Sequence, residues 1–224
     1  MKYQLRHTTH YEYSGSVTLS HNEARILPRS LPWQDCNNTR LVISPTPDRL
    51  RERTDFFGNR VVYFSIESLH DSLDVTVSSD IVTRPRLASD FFSSIAWESA
   101  VGALQQDPRM TNRDCLEARL YVLSSPFIHQ QGWLADYALD CFTPGRNLVD
   151  AVLQLNSKIF NEFIYDPEFT TVATPLADVL SSKRGVCQDF AHLIIGCLRS
   201  LGLAARYISG YMETSPPPGE VKLL

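Results

Sequence analysis

Chemistry in this chain starts at Cys187. It stands in the run Gly185-Val186-Cys187-Gln188-Asp189-Phe190-Ala191-His192, where a glycine-containing loop gives way to a periodic apolar stretch. Phe190, Leu193, Ile194, Cys197, Leu198 and Leu201 recur at i, i+3, i+4, i+7, i+8 and i+11, which predicts one buried helix face. Three residues before Phe190, Cys187 falls on that inward face in the first turn. There the unpaired N–H groups and the positive end of the helix dipole favour thiolate, the reactive form. A nucleophile is the chemistry this position could do; a small buried hydrophobe is the plain alternative.

The other reactive side chains rank lower. Cys197 sits mid-helix on the apolar stripe, away from either dipole end, and reads as inert core. Cys36, Cys115 and Cys141 belong to no motif. His192 is close to Cys187 in sequence, but five residues of helix turn through about 500°, leaving it about 140° away around the axis. It is therefore expected to be a core or interface histidine and neither base nor metal partner. Asp189, about 200° from Cys187, is expected to stabilise the helix N-terminus. Tyr165 precedes a proline turn upstream of the thiol; its hydroxyl could bind an oxyanion, but closing an apolar layer is the expected role. His7 and His10 are three apart in a strand and face opposite sides, so they do not form a metal site. No Cys-x-x-Cys, His-Glu-x-x-His, phosphate loop or dinucleotide fingerprint is present.

The thiol must be carried by a helical region that follows a β-rich one. Residues 2–13, 17–27, 37–44, 50–55, 60–68 and 73–83 read as strands, with turn residues at Ser14-Gly15-Ser16, Pro45 to Asp48 and Phe57-Gly58-Asn59. Residues 60–68 are apolar on both faces, predicting a central strand, whereas Leu73, Val75 and Val77 alternate with Asp74, Thr76 and Ser78. Short strands so spaced predict an antiparallel sandwich or barrel-like module. After Pro85 the pattern turns helical: 97–106, 114–123, 133–142, a longer helix capped by Asn147, and 175–182 with Thr174 as cap. Leu201-Gly202-Leu203 reads as a helix stop, and Ala204 to Met212 as a strand beyond it. The fold class is α+β, with a β-rich module at 1–86, a helical connecting region at 87–145 and a thiol-bearing part at 146–224.

Composition narrows the partners. A net charge of −4 without a basic face speaks against nucleic acid and anionic membranes as partners. No apolar run reaches the roughly 18 residues of a membrane helix, and residues 1–7 lack a signal-like apolar core. Five scattered cysteines, an odd number, suit a reducing cytoplasm better than a disulfide framework.

Several motifs together resemble a known family. Tyr165-Asp166-Pro167, Thr174-Pro175-Leu176, the Gly185–His192 run and the stretch from Leu198 through Gly202 and Tyr207 to Tyr211 are similar to those of the bacterial transglutaminase-like proteins, members of the papain-like cysteine superfamily. His10 to Tyr13, Arg25 to Pro28 and Asp55 to Asn59 resemble the β-rich region that precedes their catalytic core. The resemblance implies a Cys-His-Asp triad performing acyl transfer at amide bonds of a peptide or protein, with water or an amine as acceptor and no cofactor. By motif, Cys187 corresponds to the family nucleophile, with its own N–H as an oxyanion donor. The family's His and Asp lie on strands after the Tyr211 position. Here no histidine follows His192 and no aspartate follows Asp189. The domain is thus expected to be an incomplete transglutaminase-like one, truncated before its base, and this 224-residue form to turn over little or not at all. The competing expectation is a non-catalytic binding or scaffold module that uses the β domain.

Overall fold

Alternating side chains fold the first part of the chain into two facing sheets. The computed structural model describes residues 1–85, 95–106, 112–169, 171 and 174–211. Strands β1 (Lys2–Val17), β6 (His70–Thr83) and β3 (Gln34–Ser44) form one antiparallel sheet in the order β1-β6-β3. Strands β2 (Ser20–Ala24), β5 (Arg60–Ile66) and β4 (Arg49–Thr54) form the other, in the order β2-β5-β4. As its two-sided apolar pattern requires, β5 is central. Ile43 of β3, Leu73 and Val75 of β6, and Val62, Phe64 and Ile66 of β5 make one core between the sheets. The β1 ladder shifts register between Glu12 and Val17, so the strand runs on past the turn expected at Ser14 to Ser16. Such an irregularity lets a strand bend without ending.

The chain divides into two compact units. Among the described residues, one holds 1–85 with Gly210 and Tyr211, and the other holds 95–209. In the first unit the Tyr211 hydroxyl lies 2.6 Å from His7 Nδ1 on β1. The second unit consists of α1 (Trp97–Gln105), α2 (Arg113–Arg119), α3 (Gly132–Ala138), α4 (Leu148–Glu162), α5 (Leu176–Ser182) and α6 (Cys187–Ser200). A two-residue parallel pairing joins β7 (Ile164–Tyr165) to β8 (Arg184–Gly185). The unit has one core: Leu134 and Ala138 of α3, Ala151, Leu155 and Ile159 of α4, Val179 of α5, and Leu193, Cys197 and Leu198 of α6. That core spans the 145/146 position, drawing side chains from both sides of it. No described helix is long and apolar enough to cross a membrane.

Local signals explain most helix ends. Asn147 accepts hydrogen bonds from the Val149 and Asp150 N–H groups at the start of α4. Thr174 does not cap α5. Its hydroxyl accepts from Thr171 N–H at 2.9 Å, and Pro175 takes the cap position. The helix expected at 114–123 stops at Arg119, where Tyr121 and Val122 tighten into three-residue bonds to Ala118 and Arg119. Tyr121 C=O is then free to accept from Ala205 N–H at 3.1 Å. Gly202 adopts φ +83°, the left-handed stop predicted after α6. The strand expected at Ala204 to Met212 does not form in the described part: residues 203–211 pair with no strand among the described residues. A strand needs a neighbour to complete its ladder, and this stretch is held by isolated bonds, Leu203 N–H to Leu198 C=O at 2.9 Å and the Ala205–Tyr121 bond. Met212 and the proline run at 216–218 lie outside the described residues.

Candidate active site

The site is built by the segment that leads into α6. Lys183 ends α5 in the left-handed conformation, φ 56° and ψ 33°, which redirects the chain toward Cys187. A non-glycine residue pays strain there, and several contacts hold this one in place. Its ammonium pairs with Glu162 at 2.8 Å and lies over the Tyr137 and Phe163 rings at 4.3 and 4.6 Å. Tyr137 donates to the same Glu162 carboxylate at 2.9 Å. Burial works against ionisation of Glu162, yet the hydrogen bonds from Lys183 and Tyr137 hold its carboxyl below the ordinary range. Burial, followed by the bond to Glu162, pushes the Tyr137 phenol up.

The next residues are laced to β7. Ile164 N–H donates to Lys183 C=O at 2.8 Å and Asp166 N–H to Gly185 C=O at 2.9 Å. The Asp166 carboxylate pairs with Arg184, whose guanidinium lies 4.8 Å over the Phe169 ring. The Glu168 N–H, with Arg184 adding to it, holds the Asp166 carboxyl below its usual range. Tyr165 sits directly across from Gly185 and is 63% exposed. The apolar-layer role expected for Tyr165 is therefore wrong: the pairing of Ile164 and Tyr165 with β8 carries its ring outward, beside the loop that leads to the thiol.

Cys187 is the first residue of α6, and it is exposed. The periodicity placed it on the buried face. Its angular position follows from the sequence, but the core stops short of the first turn, so a residue aligned with Phe190 and Leu193 emerges into solvent. Among the described residues, nothing hydrogen-bonds its thiol, and its N–H, one of the orphan donors of the helix start, has no acceptor. Asp189 stabilises the helix start as expected, and it does so while 4% exposed. Its carboxylate accepts from Val186 N–H at 2.8 Å, folding back across the loop. Gly185 makes room for it: a Cβ there would come within 2.9 Å of Asp189 Oδ2.

His192 is not brought to Cys187. Its ring stacks on Phe127 at 6.0 Å and 9° and meets Tyr207 at 5.4 Å. Burial lowers its pKa, against the pull of Asp189 and with help from Arg199. Cys197 lies in the core, and burial pushes its thiol up to about 12. Arg199 was missed by sequence reasoning. It is 7% exposed, and its guanidinium donates to Ala205 C=O at 3.1 and 2.9 Å, to Leu123 C=O at 3.0 Å and to Ser125 Oγ at 3.0 Å. A cation in the last turn of α6 was the available signal; its carbonyl partners, up to 76 residues away, were not visible in the sequence.

Both parts of the chain match known proteins. Residues 3–82 match the bacterial transglutaminase-like N-terminal region, and residues 135–220 match the transglutaminase-like superfamily. An uncharacterised protein of Mycobacterium tuberculosis is 36% identical over 226 residues, covering 100% of this chain and 69% of its own length. One from Mycobacterium leprae is 32% identical over 209 residues, covering 92% and 70%. Among solved structures, a candidate cysteine protease from Cytophaga hutchinsonii shares the fold with a TM-score of 0.66 at 18% identity, over 91% of this chain and 67% of that one.

Proposed function

The chain belongs to the transglutaminase-like superfamily, and from that premise we propose that Cys187 is the nucleophile of an acyl-transfer reaction at amide bonds of peptide or protein substrates. The observation that carries this reading is an exposed thiol at the first position of α6, held by a loop laced on both sides. The thiolate attacks the amide carbon and the oxygen takes up negative charge. The unpartnered Cys187 N–H is the donor placed to receive that charge. Collapse of the tetrahedral species breaks the C–N bond, the amine leaves with a proton, and a thioester remains on Sγ. Attack by water or by a second amine releases the acyl group and returns the thiol. On this reading Tyr165, exposed and directly across from Gly185, contacts the substrate near this loop.

Both proton transfers need a base. Residues 1–224 contain no histidine after His192, and His192 is occupied between Phe127 and Tyr207. On this reading residues 1–224 by themselves react stoichiometrically at Cys187 and turn over little. The free cysteines are consistent with a reducing compartment, and the cytoplasm is the location proposed.

Iodoacetamide labelling followed by peptide mapping tests the assignment. Cys187 is expected to alkylate near neutral pH faster than a model thiol, and Cys187→Ala to lose that label. A rate no faster than glutathione's would remove the nucleophile. Hydrolysis of a peptide amide that vanishes in Cys187→Ala would keep the nucleophile and overturn the expectation of low turnover.

A further inference from the structure

The outer face of the second sheet carries a polar hollow. Val62, Phe64 and Ile66 of β5 face the sandwich core, so Tyr63 and Ser65 face the other way. Register fixes what surrounds Ser65. His21 of β2 lies directly across from it on one side and Arg49 of β4 on the other. Tyr63 and Glu67 flank it along its own strand direction. A serine ringed by four longer side chains leaves a depression, and one of about 490 Å³ is found there, lined by all five.

The hollow has more donors than acceptors. Ser65 Oγ is fully buried at its floor and has no hydrogen-bond partner. Arg49 lies beside Glu67, with Nε 3.5 Å from Oε1, and neither of its Nη groups donates a hydrogen bond among the described residues. His21 lies flat against Tyr63, with rings 6.1 Å apart at 18° and Nδ1 2.7 Å from the Tyr63 hydroxyl. That contact fixes the imidazole and leaves Nε2 free among the described residues. The Arg49 side chain is 72% exposed and can reorient toward a ligand, whose entry must part the side chains that now cover Ser65 Oγ.

We propose that this hollow binds a small carboxylate, either a free acid or the C-terminus of a peptide. The Nη1 and Nη2 groups of Arg49 match two coplanar oxygens, and the Ser65 hydroxyl donates to one of them from below. Glu67 already neutralises part of the Arg49 charge, so the site suits a monoanion and disfavours dianionic phosphate.

Titrations of the ¹⁵N-labelled protein with acetate, Ala-Ala-Ala free acid, the same peptide as its C-terminal amide, and inorganic phosphate test this. Saturable shifts of the Arg49, Ser65 and Glu67 amides are expected with the free acids and not with the amide. Tighter binding of the tripeptide acid than of acetate would identify a peptide terminus as the ligand; equal binding would identify a free acid. Arg49→Gln and Ser65→Ala should each weaken binding about five-fold or more. Ser65→Ala should leave the melting temperature unchanged or raised, because the hydroxyl it removes has no partner to lose. Failure of both acids to saturate, an equal response to the amide, tighter phosphate binding, or unchanged affinity in either variant would overturn the proposal.

Discussion

Along α6 the same functional group is treated in opposite ways. At the N-terminus, Cys187 is exposed at position one of the helix, with an orphan N–H beside it. Ten residues on, Cys197 is fully buried among Leu134, Leu155 and Leu193, and its thiol is pushed up to about 12. At neutral pH that leaves about one Cys197 in 10⁵ as thiolate, whatever reagent reaches it. Helix periodicity puts both cysteines on one angular stripe, so angle does not separate them. What separates them is how far along the axis the core reaches. The supports differ in the same way. The N-terminal end is held by backbone lacing and the Asp189 carboxylate, the C-terminal end by a buried guanidinium that clasps carbonyls of distant loops.

The largest expected effect is on labelling. In the native protein Cys187 should alkylate at least about 10³ times faster than Cys197, whose access requires the core to open. Mass-mapped alkylation over time reads the ratio, and comparable rates would erase the contrast. Next comes Cys197→Ser, which places a hydroxyl in an apolar core and should cost about 1–3 kcal/mol. The same change at Cys187 should stay within about 0.5 kcal/mol. Denaturant melts of the two variants compare them directly. Gly185→Ala ranks third. Its new methyl would press on the Asp189 carboxylate at 2.9 Å, and displacing that side chain should cost about 1–2 kcal/mol and slow Cys187 labelling. Asp189→Ala should produce the same pair of losses without the clash.

The smallest effect is set by His192. Burial holds its folded-state pKa below the unfolded value, so between the two the unfolded chain binds more protons. Stability is then full above the unfolded value of about 6.5 and falls as the pH drops below it. Because the ring is only half-buried, the loss should be under about 1 kcal/mol. His192→Phe keeps the stacking on Phe127 and should flatten that part of the stability–pH curve; an unchanged slope would assign it to another group.

Much of this was legible in the chain. The two-sided apolar pattern read over residues 60–68 gave a central strand, Asn147 gave a cap, and Gly202 gave a left-handed stop. Each depends on local sterics or on period, and both are written in neighbouring residues. Asp189 was read correctly as a helix-start residue, because a carboxylate in the first turn has few other uses. The site's supports were harder to see. The clasp of Lys183 by Glu162 and Tyr137, the facing of Tyr165 and Gly185, and the grip of Arg199 on Leu123 and Ala205 join residues far apart in sequence. Side-chain partners of that kind leave no periodic trace.

The sequence by itself determined that a cysteine would open a buried helix behind a glycine loop and that a β module would precede it. Only the tertiary structure decided that Cys187 would be exposed while Cys197 was sealed, and that Tyr165 would point outward beside the loop. The reason is dimensional. Period and propensity fix the direction of a side chain around its own axis, whereas exposure depends on where other elements end, and that is settled only when the helices pack.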